Sequence, residues 1–503
     1  MSKKLRFSPQ QLAFFDWAQN GTGSCVLEAV AGAGKSTVLI NSIKRFNGNV
    51  ALLAYNKKIA DELSEKLKQA GFDWKKAEAG TVHSFGFRAL RKQFQNIKVD
   101  GNKVLIMLDA QYNEAHPMFV WKKTISKLVS MAKQRALGVV ESIDDTAQWI
   151  DIAEHYDIFN GPDQNEPEPP KAEIYEAAKL ALKASNRRVD VVDFDDMVYL
   201  PLVHRCRFWQ YDVVMVDEAQ DTNPARRALV RALVKRGGRV VAVGDRHQAI
   251  YGFTGADNDS LELIKQDFNA IEMPLTVTFR CPKAVVAFSQ QWVNHIQAAD
   301  EAPDGSVSQI AVTEFFKRND LNGDAAVLCR NTKPLVELAF ACIRNKIACK
   351  VEGRDIGKNI QQMITRWKGV KTLNQLVDKL DSYFEKQKTR LLAQKKEVKL
   401  QQLEDMVETI KVIVDQCLRE GKHTIADAAA YVETLFADDV KGIMVLSTIH
   451  KSKGREWHRV FWLDRAGTCP SRWARQQWQQ EQEINLMYVA ATRAKQDLIE
   501  VLV

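Results

Sequence analysis

The stretch VLEAVAGAGKSTVLI (residues 26–40) has the residue types and spacing to hold a phosphate. Apolar and β-branched residues from Val26 to Val30 predict a buried strand, Ala31 to Gly34 a tight loop, and Lys35 onward the first turn of a helix. Backbone N–H groups of such a loop and of the helix N-terminus cradle phosphate oxygens, Lys35 adds a point charge, and the Ser36 hydroxyl can hold Mg²⁺. The pattern begins with Ala29 where a phosphate loop has Gly, so an ordinary strand, turn and helix is the competing reading. Downstream, YDVVMVDEAQDTNP (211–224) puts Asp217 and Glu218 at the end of an apolar strand. One carboxylate there can hold Mg²⁺ while its neighbour orients or deprotonates a water attacking in line. An acidic pair standing alone is usually a solvated turn or a helix cap, but behind a phosphate loop it reads as a Walker B site. A third stretch, VAVGDRHQAIYGFTGA (241–256), ends a strand at Gly244 and Asp245. It adds Gln248, which can sense a γ-phosphate, and Tyr251 and Phe253, which can stack on unpaired bases or simply pack in a core.

These residues need a sheet to bring them together. Apolar runs recur with helical stretches between them, as NVALLAYN, YDVVMVDE, GRVVAVGD, DAAVLCR, GIMVLSTIH and RVFWLD. Apolar strands alternating with helices predict parallel sheets covered on both faces. Two stretches break the rhythm and read as helical insertions. One spans about 91–190 and contains the loop segment GPDQNEPEPP; the other, about 358–440, has apolar residues spaced by three and four.

With 503 residues the chain is too long for one core. It carries 46% hydrophobic and 27% charged residues, a soluble globular balance. No apolar run approaches the ~20 residues of a membrane span, and MSKKLRFSPQ has no signal-peptide core, which predicts no membrane partner and a cytoplasmic protein, nucleoid-associated if bacterial or phage-encoded. Eight scattered cysteines without a CxxC pair argue for buried reduced thiols rather than a zinc site, an iron–sulfur cluster or disulfides. The net charge of +8 favours a polyanionic partner, although many proteins with such an excess bind none.

Further stretches, taken in order, resemble the motifs of UvrD/Rep/PcrA-type helicases of superfamily one across almost the whole chain. FSPQQLAFF resembles the Q motif, which implies that Gln11 reads adenine. LAYNKKIADEL (53–63) and GTVHSFGFRAL (80–90) resemble motifs Ia and Ib, implying contacts to single-stranded DNA through Tyr55, Asn56, Lys57, Thr81, His83 and Ser84. LTVTFRCP (275–282) resembles motif IV, with Phe279 stacked on adenine and Arg280 at the γ-phosphate. STIHKSKGREWHRVFWLD (447–464) resembles motif V, with His450 facing DNA and Glu456 near the nucleotide sugar. EINLMYVAATRAKQDL (483–498) resembles motif VI, making Arg493 the arginine finger. On this resemblance Ala29, Gly32, Ala33, Gly34, Lys35, Ser36 and Thr37 form an ATP phosphate loop in a variant that tolerates Ala first. Thr254 stands where the family usually has Arg, Phe253 where Trp is common, and Ala54 where motif Ia has its aromatic, with Tyr55 one place later.

The resemblance implies an α/β chain with two RecA-like parallel-sheet motor domains, 1–90 with 191–277 and 278–357 with 441–503, and two mainly helical insertions, 91–190 and 358–440. It implies an ATP- and Mg²⁺-dependent helicase or translocase moving 3′ to 5′ on single-stranded DNA and acting at junctions of single and double strands. The alternatives are a DNA-stimulated ATPase that strips proteins or gates a nuclease without processive unwinding, and a silent nucleic-acid-binding scaffold; a scaffold has no need of Lys35, Glu218 and Arg493 together. RNA stays open as substrate, since phosphate contacts and stacking do not read the 2′-OH. The sequence stops just beyond motif VI, so no nuclease domain is expected. Within the second insertion, EKQKTRLLAQKKEVKL (385–400) has six Lys/Arg against two Glu. It reads either as a solvated helical face or as a patch for duplex backbone or an acidic protein partner.

Overall fold

The computed structural model describes residues 6–156, 158–159, 169–250, 259–345, 347–393, 397–437, 443–472, 474 and 477–503. Tyr251, Phe253, Thr254, Lys395 and Lys396 lie outside the described residues. The chain divides into two compact units, residues 1–30 with 34–276 and residues 31–33 with 277–503.

The first unit is built on six parallel strands, β1 (Cys25–Ala29), β2 (Val50–Ala54), β3 (Ala77–Thr81), β4 (Tyr211–Val216), β5 (Val234–Gly244) and β6 (Ile271–Leu275), in the order β3-β2-β4-β5-β1-β6. Every residue of β2 is buried, as a strand covered on both faces requires. Because the strands are parallel, the residues that follow β1, β2, β3, β4 and β5 emerge at one edge, where ligands of open α/β sheets bind. β5 lies between β1 and β4, so the turn after it can reach the turns after both.

Helix α1 (Pro9–Asn20) begins with Pro9 at its first position and a capping box between Ser8 and Gln11. Helix α2 (Lys35–Ser42) starts from Gly34, and α3 (Lys57–Gln69) and α4 (Val82–Gln93) start under the side-chain caps of Asn56 and Thr81. A helical layer follows, α5 (Lys103–Gln111), α6 (Lys122–Gln134), α7 (Thr146–His155), α8 (Lys171–Arg187) and α9 (Asp196–Val203), around its own core of Trp121, Leu128, Trp149, Ile152 and Leu182. Buried lysines in that layer are paired: Lys103 with Asp196 at 2.7 Å, and Lys133 with Asp193 at 2.6 Å and Asp196 at 2.7 Å. The chain then returns through β4 to α10 (Pro224–Leu233), capped by Asn223.

The second unit has seven parallel strands, β7 (Ser306–Ala311), β8 (Ala325–Cys329), β9 (Cys349–Glu352), β10 (Phe436–Ala437), β11 (Met444–Thr448), β12 (Trp457–Leu463) and β13 (Ala494–Leu502), in the order β7-β13-β12-β8-β11-β9-β10. Helices α11 (Thr332–Arg344), α12 (Arg354–Ile364), α13 (Leu373–Ala393), α14 (Glu397–Arg419), α15 (Ile425–Leu435) and α16 (Gln477–Ala491) accompany it. Leu376, Leu380, Ile410, Ile413 and Val414 from α13 and α14 pack in one apolar cluster with Val327, Leu446 and Phe461 of the strands. All eight cysteines are free, seven of them buried. No described helix is long and apolar enough to cross a membrane.

Candidate functional site

Strand β1 runs into a loop in which Gly32 (φ +74°) and Gly34 (φ +77°) take the left-handed backbone that L side chains rarely adopt. A side chain at Gly34 would also close to 3.3 Å on the Gln11 amide nitrogen, so the loop passes close to Gln11. Lys35 opens α2 and its Nζ donates to Glu218 Oε2 at 3.0 Å; the Ser36 hydroxyl donates to Asp217 Oδ2 at 3.1 Å. The loop after β1 and the turn after β4 thus meet. Burial pulls the Lys35 ammonium toward neutrality, but Glu218, Asp245 and Asp217 outweigh it and hold the lysine above its ordinary value, hence charged. Burial first, and the Glu218 charge second, push the Asp217 carboxyl up to about 6 against the pull of Lys35. A hydroxyl and a carboxylate in contact are hard oxygen donors that fit Mg²⁺, which takes one or two protein ligands and fills its octahedron with water and phosphate.

Glu218 itself has φ +51°, an uncommon conformation for a residue with a side chain. Gln220 holds it: its amide donates to Glu218 Oε2 at 2.6 Å while its Oε1 accepts the Asp245 N–H at 3.0 Å. Asp245 in turn accepts from Gln248 Nε2 at 2.6 Å. The acid after β4 and the glutamine after β5 are therefore joined by one chain of hydrogen bonds. Gly244 permits this, because a Cβ there would stand 2.6 Å from Gln220 Oε1. Sequence reading passed over Gln220; its signal was a small-residue strand end, Gly244, facing an amide two places beyond the acidic pair.

Gln11 is buried, and its side-chain oxygen accepts the Ser8 N–H at 3.0 Å in the capping box. Ala29 closes β1, Ala33 is buried in the loop, and Thr37 lies in the first turn of α2.

Tyr55, Asn56 and Lys57 follow β2, and Thr81, His83 and Ser84 follow β3, the neighbouring strand. Asn56 and Thr81 spend their side-chain oxygens as caps, accepting from Ile59 at 3.0 Å and Ser84 at 3.1 Å. Arg226, which sequence reading also passed over, places its guanidinium carbon 4.9 Å from the centre of the Tyr55 ring. Burial, and then Arg226, push the His83 imidazole down to about 4, so it is neutral at pH 7. Tyr251 and Phe253 lie outside the described residues.

In the second unit, Arg280 Nε donates to Glu456 Oε2 at 2.6 Å and Nη1 to the Thr492 carbonyl at 3.3 Å. Lys495 pairs with the same Glu456, and although burial pushes that carboxyl up, Lys495 and Arg280 hold it below the usual carboxylate range. Phe279, next to Arg280, is 47% exposed, room for an aromatic to receive a flat ligand. Arg493 is buried, with Nε donating to Val489 O at 2.9 Å and Nη1 to Arg455 O at 3.2 Å. His450 follows β11 and is held neutral by burial, Arg330 and Lys453. Arg280 and Arg493 thus both reach Thr492 and Glu456 pairs with Arg280, while His450 follows a different strand.

Two family models match the chain: the UvrD/REP helicase N-terminal domain over residues 12–269 and the UvrD-like helicase C-terminal domain over 444–501. Among curated relatives, the ATP-dependent DNA helicase Rep of Escherichia coli is 27% identical over 296 residues, covering 54% of this chain and 40% of that protein. The ATP-dependent DNA helicase PcrA of Leuconostoc citreum is 27% identical, covering 55% of this chain and 38% of that one. The probable DNA helicase II homolog of Mycoplasma pneumoniae is 25% identical over 359 residues, 63% of this chain and 47% of that one. The matched regions span less than half the length of these relatives.

Proposed function

Because the chain belongs to the UvrD/REP helicase family, we propose that it is an ATP-hydrolysing motor that moves 3′ to 5′ on single-stranded DNA and opens duplex at its junctions, in replication, repair or recombination. The observation that carries this is the meeting of Lys35 and Ser36 with Glu218 and Asp217, a phosphate-loop lysine and hydroxyl against two carboxylates.

In this reading the loop N–H groups, the N-terminus of α2 and Lys35 bind the β- and γ-phosphates. Lys35 leaves Glu218 for the phosphates when ATP arrives, which frees the Glu218 carboxylate to take the proton of the attacking water. Ser36 and Asp217 would hold Mg²⁺, which would supply charge neutralisation of the phosphates. Gln248 reports the γ-phosphate, and Arg280 and Arg493 add positive charge as it leaves. Gln11 and Phe279 hold the adenine, with Glu456 near the sugar. The strand lies against Tyr55, Asn56, Lys57, Thr81, His83 and Ser84, with Tyr251, Phe253 and His450 as further contacts.

The test is ATP hydrolysis with and without single-stranded DNA, followed by displacement of duplexes bearing 3′ or 5′ tails in DNA and in RNA. Strand-stimulated hydrolysis and preference for a 3′ DNA tail are expected; stimulation without displacement of any duplex would leave the protein-stripping ATPase as the better reading.

A further inference from the structure

Arg226 stands in the first turn of α10, its own N–H capped by Asn223 Oδ1 at 3.0 Å. Its guanidinium faces two ways. Nη1 donates to the Asp221 carbonyl at 2.9 Å, and the Asp221 N–H donates to the Glu218 carbonyl at 3.0 Å. On the other side the guanidinium lies over the Tyr55 ring, 4.9 Å from its centre, and its charge helps keep the nearby His83 imidazole neutral. One side chain therefore touches both the short turn that carries Glu218 and the edge formed by the residues after β2 and β3.

We propose that Arg226 is a positioning residue that couples strand binding at the Tyr55 and His83 edge to the placement of Glu218. The inference rests on the proposed reading of that edge as the strand site. With His83 neutral, an approaching phosphate backbone is drawn to the cations left there, and a guanidinium is well suited to phosphate. The group it draws is the one that fixes the Asp221 carbonyl. Residues 219–221 form a single tight turn with Glu218 in a left-handed conformation at its start, so a shift at Asp221 has little slack to absorb it before the carboxylate. One side chain thus links the two proposed sites, and coupling between sites changes an affinity by about 5- to 150-fold where it is present.

The test compares the ratio of strand-stimulated to unstimulated ATP turnover, at saturating oligo-dT, in wild type, Arg226→Gln and Arg226→Lys. Lysine keeps the charge but loses the flat group that spans ring and carbonyl. Both variants should lower the ratio by about tenfold, and Arg226→Lys should do so while the salt dependence of oligo-dT binding stays that of wild type. If Arg226→Gln fails to fold, by its melting transition, Arg226→Lys decides alone. An unchanged ratio at saturation in Arg226→Lys overturns the coupling and leaves a phosphate contact. Absence of stimulation in the wild type overturns the motor reading and the coupling together, and is told apart because it appears before any substitution is made.

Discussion

Lys35 and Glu218 face each other across 3.0 Å, and in the proposed reading each has a separate task once ATP is bound. Removing either takes positioning or charge stabilisation from the phosphoryl-transfer transition state, so Lys35→Ala and Glu218→Gln should each lower strand-stimulated ATP turnover by at least ~100-fold. Turnover near that of wild type in either variant sinks the assignment. Gln220 allows a finer test, because its amide donates to the Glu218 carboxylate at 2.6 Å. Gln220→Glu replaces that donor by a second carboxylate, and two carboxylates so close cannot both ionise easily. The acid limb of the pH–rate profile should move to higher pH, with turnover partly restored on the alkaline side, whereas mere loss of structure would depress the whole profile. Lys35, Ser36, Asp217 and Glu218 were legible in the sequence because each sits in a short local pattern at a strand end. Gln220 and Arg226 were not, because their partners, Asp245 and Tyr55, come from other strands and no local spacing records the meeting.

At the scale of the element, the edge proposed to hold the strand rests on the turns that open α3 and α4. His83 in α4 is held at about 4 by burial and by Arg226, against an ordinary value of about 6.5. As pH falls, the unfolded chain takes up this proton first, so His83 subtracts stability progressively from about pH 6.5 down to about 4 and adds no further loss below that. His83→Gln should therefore gain in melting temperature relative to wild type on going from pH 7 to pH 5; a constant difference between the two proteins across that range would contradict the burial. The elements themselves were unevenly legible. The apolar runs of the interior appear as β2, β4, β5, β8, β11 and β12, since strands covered on both faces must be apolar throughout. The strands β3, β6 and β7 lie at sheet edges, and β7 is mostly exposed, so their sequences AEAGT, IEMPL and SVSQIA carry no such run. The spacing by three and four in 358–440 corresponds to α13, α14 and α15, whose apolar faces join the core beneath the sheet.

For the whole molecule the decisive quantities are direction and the substrate's shape. Movement 3′ to 5′ should appear as displacement of a 3′-tailed duplex, and preference for a 5′ tail would refute it. The basic stretch 385–400 bears on the fork. Leu391 and Leu400 are buried, while Lys386 is exposed and Lys388 pairs with Glu385 at 3.3 Å. An exposed pair of that kind is worth little and leaves the lysine available to a phosphate. If Lys386, Lys388, Arg390, Lys395, Lys396 and Lys399 touch duplex backbone ahead of the junction, each lost contact removes about 0.9 from the slope of log affinity against log salt. Neutralising all six can then flatten the slope for a forked substrate by at most about 5, and by less where a lysine stays with its glutamate. Strand-stimulated ATP turnover on a duplex-free oligonucleotide should change little, because the residues proposed for ATP and for the strand lie elsewhere in the chain. Fork affinity unaltered at low salt would mean that the six charges only solvate a helical face. A collapse of ATP turnover as well would mean that 385–400 serves the motor itself, an outcome that the shared apolar core of α13, α14 and the strands makes physically intelligible.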